Sequence, residues 1–287
     1  MTSAPTVSVI TITFNDLDGL KRTVESVRAQ RYQGKIEHII IDGGSGEAVV
    51  AYLSGCQPGF AYWQSQPDSG RYDAMNQGIA HASGDLLWFM HSTDCFSDQD
   101  AVAAVVEAIS DHGAVRDVWG YGKNNLVGPD GEVLFPRPYG YMPFDTRKFL
   151  LGATVAHQAT FFGASLVEKL GGYDLEFGLE ADQLFIYRAA MLQPPITIDR
   201  VVCNFDVTGP GSTQPIREHH KNIRRLWDMY GYYPMGGRRG SWAYLCVKEY
   251  LVRADLAAFN ALKFAKAKLA KGKSTRDAAP QSETNVA

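Results

Sequence analysis

Cysteine is scarce in this chain of 287 residues: Cys56, Cys95, Cys203 and Cys246 stand far apart and form no C-x-x-C pair. That excludes a disulfide framework and zinc knuckles, and it fits a reducing compartment. No run of 18 apolar residues occurs, so no segment reads as a membrane-spanning helix. The N-terminal residues lack the basic stretch and apolar core of a secretion signal. Their first apolar run, Val7–Phe14, has the length of a strand. No G-x-G-x-x-G follows that run, and no G-x-x-x-x-G-K-[ST] occurs anywhere, which argues against a Rossmann dinucleotide site and against a P-loop. No period of fixed length recurs, so a solenoid is excluded too.

Net charge is also low, at −3, but it is unevenly spread. Arg217 to Arg276 holds 14 Lys/Arg against 4 Asp/Glu, and the remainder holds 14 basic and 27 acidic residues. Such asymmetry points to a basic face near the C-terminus that meets something anionic.

Apolar, β-branched runs mark strands at "VSVITITF" (Val7–Phe14), "IEHIIID" (Ile36–Asp42) and Leu86–Met90, with a short one at Phe60–Trp63. Helical spacing follows the first strand, with Asn15 or Asp16 as N-cap, and recurs over Tyr72–His81 and from Asp98 to Ile109. This alternation predicts an α/β fold with a mostly parallel sheet and helices on both faces. Beyond residue 110 the pattern changes. "VGPDGEVLF" carries a turn signal. Helices are expected after Ser165 and over Glu180–Met191, a strand over Ile196–Cys203, and helix again from Trp242 to Lys271. The expected organisation is a donor-binding half (1–110), an acceptor-binding and catalytic half of the same domain (111–215), a basic helical extension (216–272) and a disordered tail (273–287).

Three strand ends carry polar groups: Thr13-Phe14-Asn15, Asp42, and His91-Ser92-Thr93-Asp94. In open α/β sheets, ligands bind beyond the carboxyl ends of strands. Phe14 offers a flat face for a base, and Asp42 offers an acceptor to a base or ribose. Each taken singly is also an ordinary turn, since Asn, Asp, Gly and Ser favour turns. "QPDSGRYDAMNQGIAHASGD" is the most distinctive stretch. Arg71 opens its helix as a fixed cation for phosphate or carboxylate. Gly78 inside that helix signals either close packing or ligand approach.

The segments "VSVITITFND", "IEHIIIDGGSGE", "PDSGRYDAMNQGIAHASGD", "LLWFMHSTD", "HQATFF" and "GGYDLEFGLEADQLFIYRAA" together resemble the family 2 glycosyltransferases of GT-A fold, over roughly residues 7–205. The resemblance implies a Rossmann-like central sheet, a nucleotide-diphosphate sugar donor and a divalent metal, Mn or Mg. It places Thr13, Phe14, Asn15, Asp42, Arg71, Asp73, Asn76 and Ser92 on the donor side. It places Asp94 on the metal, His157 and Gln158 on the acceptor side, and Asp182 as catalytic base with Glu180 nearby.

The implied reaction is a single displacement with inversion, so it needs a general base and no separate nucleophile. One position departs from the pattern. Thr93 stands where relatives often carry a second carboxylate, and a neutral hydroxyl is a poorer ligand for a hard cation. His91 is either a compensating ligand or a hydrogen-bonded structural residue. The alternative function is a silent nucleotide-sugar-binding protein of the same fold. The expected partners are the donor, a glycan or lipid-linked acceptor, and an anionic membrane surface met by the basic C-terminal helix around Lys263–Lys273. A solvated face is the other reading of that helix, and no nucleic-acid motif accompanies it. The expected location is cytoplasmic, peripheral at the inner face of a membrane, with cell-surface glycan or glycolipid assembly as the process.

Overall fold

The computed structural model describes residues 4–140, 142–208 and 215–251. It divides into two compact units, which meet in sequence at Pro215 and Ile216. The first is a mixed α/β unit. Its elements run β1 (Val7–Thr13), α1 (Leu17–Arg28), β2 (Ile36–Asp42), α2 (Glu47–Gly55), β3 (Tyr62–Ser65), α3 (Arg71–His81), β4 (Leu86–Phe89), β5 (Cys95–Phe96) and α4 (Ala101–Ile109). After these come β6 (Trp119–Val127), α5 (Thr146–Leu150), β7 (Thr160–Gly163), α6 (Ala164–Leu170), α7 (Ala181–Leu192) and β8 (Ile196–Asp206).

The eight strands form one sheet in the order β3-β2-β1-β4-β7-β6-β8-β5. β3, β2, β1 and β4 are parallel to their neighbours, as the alternation of strand and helix requires. The second half is mixed: β7 is antiparallel to both β4 and β6, β6 and β8 are parallel, and β5 is antiparallel to β8. The expectation of a mostly parallel sheet thus describes the first half, and β7 breaks the pattern in the second.

β1 is buried along its whole length, which explains its unbroken apolar and β-branched sequence. Val7, Val9, Leu86, Trp88 and Phe96 pack with Val27 of α1 and Val102 and Val105 of α4. Leu20 and Val24 of α1 pack with Ile40, Val49 and Leu53. Buried polar pairs fix the register of β1 on β2. Ser8 donates to Glu37 at 2.8 Å, and Thr11 and His38 Nε2 share a bond of 2.9 Å. Burial alone would raise the Glu37 carboxyl, but bonds from Ser83, Lys35 and Ser8 bring it down to about 2.

The chain leaves β1 towards β2 and β3, then crosses back through α3 to β4 on the other side of β1. The carboxyl ends of β1 and β4 are therefore the switch point where such sheets open a crevice. Gly78 makes this crossover close. A Cβ there would sit 2.3 Å from Ile10 Cγ2, so the glycine serves packing of α3 on β1.

Several boundaries differ from expectation. The third strand lies two residues later, at Tyr62–Ser65. Asp98 bonds Arg200 and the backbone N–H of Asp100, and Asp100 takes the N-cap position of α4. Asp16 caps α1 by accepting from the Gly19 N–H at 3.0 Å. In the second unit α8 spans Ile216–Tyr230 and residues 238–251 are helical. The basic stretch at Lys263–Lys273 and the expected tail lie outside the described residues.

Alanine in a helix normally adds stability over glycine. Here Gly78→Ala should lower it by about 1–3 kcal/mol, the usual range for overpacking. A urea midpoint that rises instead would show that α3 is not held against Ile10.

Candidate active site

A cleft of about 740 Å³ opens at the switch point. Ile12, Thr13 and Phe14 line it from the end of β1, Gly43 and Gly44 from the end of β2, and His91 to Asp94 from the end of β4. Pro67, Asp68, Gly70, Arg71 and Ala74 come from the start of α3 and the loop before it. Gln158, Phe205 and Asp206 close the far side.

Each wall has a local cause. Phe14 follows β1 and is 63% exposed, which gives the cleft an open aromatic face. Gly70 precedes α3 at φ 111° and gives it no side-chain cap, so the helix begins uncapped where Gly70 and Arg71 line the cleft. Arg71 makes no hydrogen bond or ion pair among the described residues. An uncapped helix end beside a free guanidinium is chemistry that suits an anion such as a phosphate.

The turn after β4 is built tightly. Ser92 N–H donates to Ile12 O at 3.0 Å, and Asp94 N–H to His91 O at 3.1 Å. Thr93 has φ 80°, a conformation that β-branched residues rarely adopt. Asp94 is only 3% exposed. Its Oδ1 accepts the backbone N–H of Asp206 at 2.9 Å. Burial pushes its carboxyl up to about 8, against the opposing bond from Asp206 N–H and with the Asp206 charge adding to the rise. His91 is buried and held well below the ordinary histidine range, mainly by desolvation and then by His157 and Arg71. It is therefore neutral, and its Nδ1 at 3.9 Å from Asp94 Oδ2 forms no charged pair.

Of the residues expected from sequence, the structure gathers Thr13, Phe14, Arg71, Ser92, Asp94 and Gln158 on the cleft. The others lie outside its lining. Asp42 is fully buried and accepts from Ser45 N–H, Ser45 Oγ and Ser65 Oγ. Asn15, at φ 53°, donates its N–H to Ser45 Oγ. Asp73 accepts from Ser69 N–H and Gln77. Asn76 is spent on the fold: its amide bonds both the carbonyl and the N–H of Tyr173. His157 is buried against Tyr173 Oη at 2.7 Å. Asp182 is half-buried in the first turn of α7, with Tyr72 Oη 3.1 Å from its Oδ1.

Asp206 and Phe205 were missed. β8 runs to Asp206 rather than to Cys203, so the same rule about strand ends would have found "NFD" had the strand been read three residues further. Among the described residues no three His, Cys, Asp or Glu side chains converge on one point. Two carboxylates, Asp94 and Asp206, do meet at the cleft. A hard cation held by one or two carboxylates and completed by phosphate oxygens and water requires no more. A desolvated Asp94 beside a second carboxylate is also a group whose ionised form a cation would stabilise. The donor set therefore fits a divalent cation that binds together with a diphosphate.

The eight-stranded sheet with its helices and a cleft at the switch point is similar to the GT-A architecture of solved glycosyltransferases. Within that class the chain belongs to glycosyl transferase family 2, whose model matches residues 8–168. It is 63% identical over 251 residues to an uncharacterised glycosyltransferase of Mycobacterium tuberculosis, covering 87% of this chain and 94% of that one. It is 28% identical over 192 residues to a PGL/p-HBAD biosynthesis glycosyltransferase of Mycobacterium bovis, covering 65% and 70%. Its fold is similar to that of a mannosyltransferase from Pyrobaculum calidifontis solved with GDP-Man and Mn2+. The TM-score is 0.60 at 19% identity, over 96% of this chain and 81% of that one.

The raised Asp94 predicts a pH effect on the metal-free protein. A carboxyl with folded pKa about 8 and an unfolded value near 4 keeps its proton longer in the folded state. Its contribution to stability is present below pH ~4 and is lost as pH rises to about 8. Melting temperature should fall more steeply from pH 5 to 8 in the wild type than in Asp94→Asn; parallel curves would refute the buried, protonated state.

Proposed function

We propose that this glycosyltransferase moves a hexosyl group from a nucleotide-diphosphate sugar to a hydroxyl acceptor with inversion, in cell-surface glycan or glycolipid assembly. The observation that carries the reading is the cleft itself. It joins an exposed aromatic face at Phe14, a free cation and helix end at Arg71, and the buried carboxylates at Asp94 and Asp206. A nucleoside diphosphate has the matching parts: a base to stack, two phosphates to neutralise and oxygens for a cation. Residues up to 110 supply the donor half, and residues 111–215 the acceptor and catalytic half.

Asp94, with Asp206, would hold the divalent ion, whose chemistry is to neutralise the charge that develops on the departing diphosphate. The chain's own residues do the rest. Phe14 and Thr13 seat the nucleoside, and Arg71 with the α3 N-terminus orients the phosphates. Asp182 takes the acceptor proton as the acceptor oxygen bonds to the anomeric carbon. The bond from that carbon to the diphosphate oxygen breaks in the same displacement, and its electron pair leaves with the diphosphate. One displacement inverts the configuration.

The same reading places the protein peripherally on an anionic membrane surface. The support lies in the second unit. Val247, Tyr250 and Leu251 are exposed at helical spacing, and Trp242 stacks with Arg224 and Arg238. Among the described residues no helix is long and apolar enough to cross a membrane. An interfacial helix with aromatic and cationic residues binds such a surface through both terms.

Asp182→Asn should reduce transfer by about 100-fold or more, as expected for loss of a general base. Donor binding, read by thermal shift, should be retained. Unchanged turnover would remove Asp182 from the mechanism. For the membrane, the full chain should sediment with vesicles containing phosphatidylglycerol and not with phosphatidylcholine alone. A Val247→Ser/Tyr250→Ser/Leu251→Ser variant should stay in the supernatant, and equal sedimentation of both proteins would reject this face.

A further inference from the structure

Asp68 is the third carboxylate on the cleft, after Asp94 and Asp206. The loop from β3 to α3 carries it there. Gln66 N–H donates to the Asp42 carbonyl at 2.9 Å, which continues the pairing of β3 on β2 by one residue. Pro67 then crosses Gly44, where a Cβ would lie 3.2 Å from the proline nitrogen. Asp68 follows and turns back on the helix start: its Oδ1 accepts the Gly70 N–H at 2.8 Å. Asp73 holds the same loop from inside α3 by accepting the Ser69 N–H at 2.9 Å.

The other oxygen of Asp68 is left over. Oδ2 has no hydrogen bond or ion pair among the described residues. It lies over Gly43: a Cβ on that glycine would stand 2.8 Å from Asp68 Oδ2 and 3.2 Å from Phe14 Cδ2. A glycine at 43 therefore lets the carboxylate and the aromatic ring lie side by side. Asp42, which the resemblance puts on the donor side, is in the opposite state. It is fully buried, and both of its oxygens are occupied by Ser45 and Ser65. Asp68 is half-buried, and a carboxylate oxygen without a protein donor takes its hydrogen bond from a ligand or from water.

The order along the wall identifies the ligand group. Phe14 offers the stacking face, and Arg71 at the start of α3 offers the cation. Asp68 stands between them, beside Phe14 across Gly43 and bonded to the helix start at Gly70. In a nucleoside diphosphate the part between base and diphosphate is the ribose. Its two adjacent hydroxyls are donors, and a carboxylate is a strong acceptor for them. Acidic residues meet ribose hydroxyls in this way in other open α/β sheets. With no hydroxyl to accept from, a negative charge so close to the phosphates would only repel the donor.

We propose that Asp68 is the ribose contact of the donor site: its free Oδ2 accepts a hydrogen bond from the ribose diol. The inference rests on the reading of the cleft as a nucleoside-diphosphate site, with the base on Phe14 and the diphosphate at Arg71. It moves the ribose role from Asp42, whose acceptors the fold consumes, to a carboxylate one loop away.

The test is isothermal titration calorimetry of the full chain with Mn2+ present. It reads the dissociation constants of UDP and GDP, and of the 2′-deoxy and 3′-deoxy forms of whichever binds more tightly. In the wild type at least one deoxy form should bind about tenfold or more weakly, as expected for loss of a hydrogen bond to a charged group. Asp68→Asn keeps an oxygen for the Gly70 N–H and puts an NH2 group in place of Oδ2. Its ratio of deoxy to ribo constants should fall below about threefold. Asp68→Ala should bring the ratio close to unity. The ratio is the decisive quantity. Removing a negative charge near the diphosphate changes the affinity for every nucleotide alike, and only a ribose contact changes the ratio. Melting curves confirm that the variants are folded, and Asp68→Asn preserves the loop should Asp68→Ala disturb it.

Equal binding of the ribo form and both deoxy forms by the wild type overturns the proposal. So does a ratio unchanged in folded Asp68→Asn, even where all affinities rise together. The two levels separate cleanly. A wild type that binds neither UDP nor GDP sinks the reading of the cleft and the ribose contact with it. A wild type that binds one of them without regard to its hydroxyls leaves the cleft reading standing and removes Asp68 alone.

Discussion

Thr23 of α1 places one hydroxyl 2.8 Å from the carbonyl of Asp94, 3.1 Å from that of His91 and 3.2 Å from its own helix at Gly19. It ties α1 to the turn that follows β4, and the cleft depends on that turn. The backbone there has to reverse so that Ser92 still pairs with Ile12 while Asp94 reaches Asp206. Thr93 takes the resulting positive φ at a cost of about 1–3 kcal/mol. Such a conformation persists only where its surroundings over-determine it. Here they do: strand pairing on one side, the Thr23 hydroxyl on another and buried carbonyls that need partners.

The same economy of partners runs through the first unit. Ser8, Glu37, Ser83, Thr11 and His38 are buried polar residues whose bonds lock β1 to β2 and to the loop before β4. They carry no chemistry of the cleft. They hold the register in which β1 and β4 end side by side and diverge. At the cleft the logic reverses. Arg71 is left free and the α3 N-terminus uncapped, while Asp94 and Asp206 are crowded together out of water. Charges left unpaired in this way are what a diphosphate with its cation would satisfy.

The first half of the fold was legible because β1, β2 and β4 are buried on both faces. An unbroken apolar run such as Ile39–Ile41 or Leu86–Met90 has few other uses. β6 and β7 were not legible. β6 reads "WGYGKNNLV", with two glycines and three polar residues, since Gly120 is needed where the Ile196 carbonyl approaches and part of its distal half is only half-buried. β7 is only four residues long. Its antiparallel direction follows from where the chain returns, and no local pattern encodes that.

Sequence by itself determined which residue types stand at the strand ends, and so the class of chemistry available there: an aromatic face, a cation and carboxylates. Only tertiary structure decided which of them face the cleft. Asp42 and Asn76 are as polar as Asp94, yet their hydrogen bonds are consumed by Ser45, Ser65 and Tyr173. Asp206 lies 112 residues from Asp94 in sequence and donates to it directly. The reason is physical: whether a buried polar group is free for a ligand depends on which partners the fold has brought to it. Those partners come from strands and turns far away along the chain.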